Sequence, residues 1–307
     1  MNPYFGQDFF GFFKTFFTRL FTGFEGKLMT DELQLFVLLG ISLACALSGT
    51  FLVLRKMSML ANSLSHTVLL GIVIAYVLIG GNPDSLYKNP WILMGAALFM
   101  GFLTVLITYF LTHVVKLQED ASIGMVFTSL FALGIIAATT MTRSAHIGQE
   151  AVMGNVDALH ITDLKLVFWV LLFNALTIVL FYKELVLVSF DPTLAKTLGI
   201  SVSFFSALLM AEASFAIIGS FRSTGVLMVL SFLVIPPLIA RFYSYRLKHQ
   251  LFIALGFGAL ASVLGVAIAR HLLSTSGILV STSGLIVVLL ILLFVLSWAY
   301  KRIFVKS

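Results

Sequence analysis

Charge is what this 307-residue chain has least of: Asp, Glu, Lys and Arg together make up 10%, against about a quarter in soluble domains. So thin a supply cannot clothe a water-exposed surface, which excludes an ordinary soluble globule. The 60% hydrophobic content makes the same point from the other side. Cysteine occurs once, as Cys45 inside an apolar run, so no intramolecular disulfide can form and cysteine usage says nothing about redox compartment. There is no G-x-x-x-x-G-K-[ST] loop, which excludes ATP hydrolysis by that route. H-E-x-x-H, a convincing Ser/His/Asp set and paired carboxylates at helical spacing within an apolar run are also missing, so no enzyme reading survives. A basic patch with interleaved aromatics in a soluble segment is absent too. The net charge of +6 therefore reads as loop bias rather than a nucleic-acid footprint.

What remains is a series of apolar runs: residues 33–54, 58–80, 91–113, 122–141, 164–182, 203–220, 224–241, 250–270 and 276–299. Each approaches the length a helix needs to cross about 30 Å of hydrocarbon. In lipid such runs satisfy their backbone groups only as helices, so the expected fold class is all-α, a polytopic membrane bundle of about nine spans. Gly81-Asn82-Pro83-Asp84 and Lys88-Asn89-Pro90 are turn signals between spans. With the N-terminus outside, 11 of the 19 basic residues fall inside, among them Arg55, Lys56, Lys116, Arg241 and Lys301, and the positive-inside rule favours that orientation. Residues 1–30 form a separate segment crowded with Phe and broken by Asp8, Lys14 and Arg19. Without an uninterrupted apolar core or a small-residue cleavage site it is a poor signal peptide, and it reads as an amphipathic helix in the membrane interface. Residues 31–307 form the membrane domain.

Within the second run stand Asn62, Ser63, Ser65, His66 and Thr67. Asn62 and His66 are four apart and share a helix face. Polar groups in hydrocarbon face protein or a wet path. A neutral imidazole beside an amide oxygen suits a borderline divalent metal, whereas hydroxyls and His also serve as packing glue between helices. Both readings stand on the residues alone. Glu212, mid-span, is either a second group on an ion path or a buried, hydrogen-bonded helix-packing carboxyl. His113, His249 and His271 fall at span ends. The outer loop 142–163 holds His146, Glu150, Asp157, His160 and Asp163 at no recognised ligand spacing. Pro236-Pro237 should kink its span, and Gly277, Ser281, Ser283 and Gly284 look like a close-packing face.

The inner loop 183–200 carries its own local code. Asp191 can cap a helix that Pro192 begins, and Gly199 stands just past its end. The expected element is a short helix over 193–198, either a docking element or an ordinary capped surface helix.

Taken in order, several stretches resemble the permease subunit of the manganese, zinc and iron ATP-binding-cassette importers. They are Leu54-Arg55-Lys56-Met57-Ser58-Met59-Leu60 through His66, Lys116-Leu117-Gln118-Glu119-Asp120 with Ile123-Gly124-Met125-Val126-Phe127, and Gly154-Asn155. Leu185 through Pro192 with Ala195 and Gly199, and Thr224-Gly225-Val226-Leu227 through Pro236, complete the set. The resemblance spans about residues 38–295. It implies two permease subunits about a two-fold path, a cytoplasmic ATPase and an extracytoplasmic metal-binding receptor, in the bacterial inner membrane. His66 and Asn62 would bind the ion in passing, with no permanently bound cofactor. Phe190, Asp191, Pro192, Ala195 and Gly199 would couple to the ATPase, and Glu119 and Asp120 would contact it or cap the following helix.

Three positions depart from the family pattern: Asn62 stands where Asp is usual, Leu70 where Pro is usual, and Arg222 where Gln is usual. Two identical copies would offer imidazoles and amides but no carboxylate, so the second permease is either a copy of this chain or, as the missing carboxylate suggests, a sibling supplying Asp. Three rivals remain, a permease for a metal chelate (siderophore or cobalamin), a proton-coupled carrier using Glu212 and a non-transporting membrane scaffold. The residues do not choose among Mn, Zn and Fe.

Overall fold

The computed structural model describes residues 3–23, 28–79, 90–142, 156–157 and 159–304. Among these, nine long helices follow a short leading one. In chain order they are α1 (Phe9–Phe21), α2 (Thr30–Leu54), α3 (Ser58–Leu78), α4 (Pro90–His113), α5 (Glu119–Ala137), α6 (Ile161–Leu180), α7 (Tyr182–Phe190), α8 (Pro192–Thr197), α9 (Val202–Thr224), α10 (Val226–Tyr243), α11 (Leu247–Ser276) and α12 (Thr282–Phe304). Seven of the long helices are apolar enough to cross a membrane over at least 18 residues. In α3 and α4 the qualifying stretches are shorter, Asn62–Leu78 and Leu98–His113. All nine expected runs therefore become helices. Gly81 to Asn89, with their turn signals, lie outside the described residues.

α2 is the hub, packed against α6, α9, α10 and α11, and it is the most buried span. Small residues allow the close approaches, as expected where lipid removes any hydrophobic drive between helices. A Cβ on Gly40 would meet the Val167 side chain of α6, and Gly258 of α11 sits over Ser42. α3 and α4 run antiparallel: Thr104 Oγ1 donates to Thr67 Oγ1 at 3.0 Å, and Gly71 abuts Met100 and the Ala96 carbonyl. α5 leans on α3 through Gly134, which lies against the backbone of Leu70, and its final turn widens into a π-helical turn over Ala138–Thr142. The wider turn is built from threonines whose hydroxyls donate back to Ile135 and Ile136 carbonyls.

The leading segment does more than lie beside the bundle. Phe12 is buried, Phe9, Phe13 and Phe16 pack against the core, and Phe10, Phe17 and Phe21 face outward. Arg19 Nε meets Glu32 Oε1 of α2 at 2.5 Å, and Tyr4 Oη donates to the same oxygen at 2.8 Å. The second carboxylate oxygen of Glu32 accepts the Met29 backbone N–H. Burial, and then the bond to Glu32, push the Tyr4 phenol well above its ordinary range. One buried carboxylate thus fastens α1 to the start of α2.

The starts of α2 and α12 and the last turns of α11 carry a second polar latch. Arg270 pairs with Asp31 at 3.3 Å, while Asp157 Oδ1 accepts from Gln34 Nε2 and Thr282 Oγ1 at 2.9 and 2.8 Å. Asp163, in turn, accepts the His160 N–H at 2.8 Å and closes the first turn of α6. Three polar residues of the outer loop are therefore engaged in structure. His146, Glu150, Gly154 and Asn155 lie outside the described residues.

Candidate functional site

α3 begins in a tight reversal after α2. Lys56 takes a left-handed conformation (φ 61°), and Met57 N–H returns to the Leu52 carbonyl at 2.9 Å. That reversal is a Schellman closure with lysine in the place usually given to glycine. Arg55 is held by its Nη1 bond to Ser206 Oγ of α9 at 2.7 Å. With its start fixed in this way, α3 turns Ser63, Leu64 and Thr67 into the protein.

Asn62 and His66 occupy another side. Asn62 is exposed and His66 half-buried. The His66 ring lies edge-on to Phe131 of α5, with centroids 5.0 Å apart, and tilted against Phe127 at 5.3 Å. Phe127 and Phe131 stack on one another at 5.8 Å. The imidazole is thus seated at the α3–α5 edge by two aromatic rings, which limit its rotation while leaving part of the ring open. The amide of Asn62 stands one helical turn away on the same face. Among the described residues, no group of three or more His, Cys, Asp or Glu gathers anywhere. One chain therefore offers an imidazole and an amide oxygen, too few donors for a closed metal site, since structural sites take four or more. A second chain against this edge would double the set.

Glu212 stands on another helix. It is fully buried in α9, and neither carboxylate oxygen has a hydrogen-bond partner among the described residues. Its helical stripe continues through Phe215, tilted against Phe173 of α6 at 4.9 Å, and Gly219, pressed on Val170 and Leu166. α4 instead meets Ser214 and Ile218, on the other side of α9. Asn174, next to Phe173, is also fully buried, with both amide atoms unpartnered. Glu212 and Asn174 are thus two buried polar side chains, on α9 and α6, without hydrogen-bond partners among the described residues. Asn174 escaped the sequence reading because one amide in an apolar run carries no spacing signal.

The inner end is built from α7 and α8. α6 continues past a break at Phe181 into α7, so residues 182–190 are helical rather than loop. α8 spans 192–197, one residue earlier at each end than expected. Asp191 Oδ1 accepts the Thr193 hydroxyl at 2.5 Å and the N–H groups of Leu194 and Thr193 at 3.0 and 3.1 Å. These bonds, the Thr193 hydroxyl first, hold its carboxyl below the usual range. Gly199 has φ 79°, and Ile200 N–H closes on the Ala195 carbonyl at 2.9 Å. Ala195 is buried in a cluster with Leu185, Val188, Phe205 and Leu209, while Phe190, Leu194 and Leu198 stand exposed. A rigid, capped helix thus seats one small side on the bundle and offers three large apolar side chains outward. Asp120 is exposed in the first turn of α5; the side chains of Glu119 and Arg222 lie outside the described residues.

Comparison with known proteins places this architecture. Residues 30–301 match the model of the ABC 3 transport family. A "probable metal transport system membrane protein" of Chlamydia muridarum is 40% identical over 297 residues, covering 96% of this chain and 93% of that protein. The "manganese transport system membrane protein MntD" of Bacillus subtilis is 38% identical over 262 residues, covering 81% and 86%. Among solved structures, "PsaBC from Streptococcus pneumoniae in complex with Fab" superposes with a TM-score of 0.73 at 26% identity, covering 93% of this chain and 99% of that one. The chain belongs to the ABC 3 transport family, as a multi-pass protein of the bacterial plasma membrane.

Proposed function

We propose that this chain is the permease subunit of an ATP-driven importer for a divalent transition metal, with manganese and iron the first candidates. Relatives named for manganese and iron transport support that choice of cargo. ATP is hydrolysed by a separate cytoplasmic subunit that docks on Phe190, Leu194 and Leu198 around the capped helix, with Asp191, Pro192, Ala195 and Gly199 fixing its shape. Glu119 and Asp120, at the start of α5, contact that subunit as well. An extracytoplasmic receptor delivers the ion to the other side. The observation that carries the reading is the half-open imidazole of His66, one turn from Asn62, on an edge where one chain gives half a ligand set. A second permease, a copy of this chain or a sibling contributing a carboxylate, completes the set about the path. The ion itself is cargo: imidazole and amide exchange with water fast enough to release it, and no resident metal is required.

The test is uptake of radioactive Mn²⁺ into vesicles holding the permease, its ATPase and the receptor. Accumulation should require ATP and persist when a protonophore collapses the proton gradient. Uptake driven by that gradient without ATP would establish the proton-coupled carrier instead, and accumulation of a siderophore or cobalamin but not the bare ion would establish the chelate permease.

Glu212 is assigned to helix packing between α6 and α9. Glu212→Gln keeps the shape and should therefore retain both the yield of folded protein and manganese uptake close to the unaltered chain. Loss of uptake in a fully folded Glu212→Gln protein, read by uptake alongside gel filtration, would move this residue onto the ion path.

A further inference from the structure

A cleft of about 450 Å³ opens at the end of the bundle where α2, α7, α10 and α12 finish and α11 begins. Its rim is cationic: Arg241 and Lys301 each stand in the last turn of their helix. Neither pairs with a carboxylate among the described residues. Lys301 Nζ is instead steered over the rings of Phe242 and Tyr245, 5.7 and 5.8 Å from their centroids. The floor is apolar, made by Leu238 and by Phe294, which lies two turns along α12 from Lys301 on the same face. Between rim and floor sits Gln250. It is 4% exposed, its Nε2 donates to the Ser244 carbonyl at 2.7 Å, and its Oε1 accepts from no described residue. A buried acceptor of this kind calls for a donor from outside the chain.

We propose that this cleft binds an anionic glycerophospholipid, with phosphatidylglycerol the best chemical match. Arg241 and Lys301 take the phosphate, a headgroup hydroxyl donates to Gln250 Oε1, and an acyl chain runs over Leu238 and Phe294. The layering decides for a lipid over a free anion. A soluble phosphate would satisfy the two cations, and its P–OH the buried acceptor, but nothing in it would cover the apolar floor. Basic clefts between helices on the inner face of membrane proteins suit such headgroups. The lining includes neither His66 nor Asn62 but does include Phe190, which the transport reading gives to ATPase docking, so lipid retention and ATPase co-purification are measured separately.

Native mass spectrometry of the full-length protein in detergent tests it, titrating phosphatidylglycerol against phosphatidylcholine with the same acyl chains. The unaltered protein should retain phosphatidylglycerol preferentially. Arg241→Gln with Lys301→Gln should weaken that binding about tenfold or more, with gel filtration confirming the fold. Lys301→Gln alone, which removes no ion pair, should give a smaller loss in the same direction if the double variant fails to fold. Arg302→Gln removes equal charge from the same turn, but Arg302 lies over Trp298 outside the cleft, so binding should hardly change. Equal binding of phosphatidylcholine, or an equal loss in Arg302→Gln, overturns the site as mere surface charge. Displacement of the lipid by millimolar inorganic phosphate overturns it in favour of a free anion. Unchanged lipid binding with loss of the co-purifying ATPase overturns it in favour of a subunit interface.

Discussion

Replacing His66 by alanine should lower ATP-driven manganese uptake about tenfold or more, which corresponds to about 1.4 kcal/mol or more of lost ion stabilisation. The bundle should stay folded. The His66 ring is half-open, rests on Phe127 and Phe131 and has no hydrogen-bond partner among the described residues, so its removal orphans no described polar group. Asn62→Asp should act in the opposite sense on affinity. It puts a carboxylate where the chain has an exposed amide, and carboxylate oxygens suit manganese. The half-saturating manganese concentration should fall, and the maximal rate should fall with it if the ion is then held too long. Both variants are read in the same vesicle assay, beside thermal melting of the purified protein. Uptake by His66→Ala at the unaltered level, with the protein folded, would remove the imidazole from the path. If a sibling permease supplies the carboxylate, the Asn62→Asp effect should shrink in the mixed complex and be full in a complex of this chain alone.

Which parts of this were legible beforehand follows from how local their physics is. The short helix at 192–197 could be read because its start and stop are written in adjacent residues: Asp191 accepts the first N–H groups, Pro192 begins the helix and Gly199 provides the left-handed exit. The nine long helices could be read because length and apolarity suffice in a bilayer. Asn62 and His66 could be placed on one face by spacing. Their aromatic seat could not, because Phe127 and Phe131 lie some sixty residues further on and reach His66 only through the α3–α5 packing. The same holds for Glu32. In sequence it is one acid before an apolar run; in the fold it receives Arg19, Tyr4 and the Met29 N–H together. The inner loop was drawn too long, since α6 resumes as α7 after Phe181 and the break leaves no helix-breaking residue to mark it. Glycines were the least legible. The 23 of them look alike in sequence, yet Gly95, Gly124 and Gly256 face open space while Gly49 is closed in by backbone.

Gly49→Ala should cost the folded state more than any other single methyl added at the glycines of α2. A Cβ there would collide with the carbonyl oxygen of Leu233 in α10, with the Leu233 carbonyl carbon at 2.9 Å and its Cα at 3.1 Å. Side chains can rotate away from an intruding methyl, but a helix backbone cannot. The reason this carbonyl crowds α2 lies four residues on. In a regular helix Leu233 would accept the N–H of residue 237, which is Pro237 and has none, and Pro236 likewise leaves Phe232 without a donor. The freed Leu233 carbonyl lies against Gly49, where a Cα–H can partly answer it and where any side chain would stand in its place. The proline pair and the glycine are therefore one device, a carbonyl freed in α10 set against a bare patch of α2. Overpacking of this kind costs about 1–3 kcal/mol, and more where neither side can yield. Gly49→Ala should accordingly give little folded protein on gel filtration and a markedly lower melting temperature in detergent. Gly256→Ala, with open space at its Cβ, should melt at or slightly above the unaltered protein, since alanine is the better helix former. If the two variants melt alike, α10 is not held against Gly49 in the way described. Pro237→Ala should be milder than Gly49→Ala, because it returns an N–H to the Leu233 carbonyl and adds no atom between the helices.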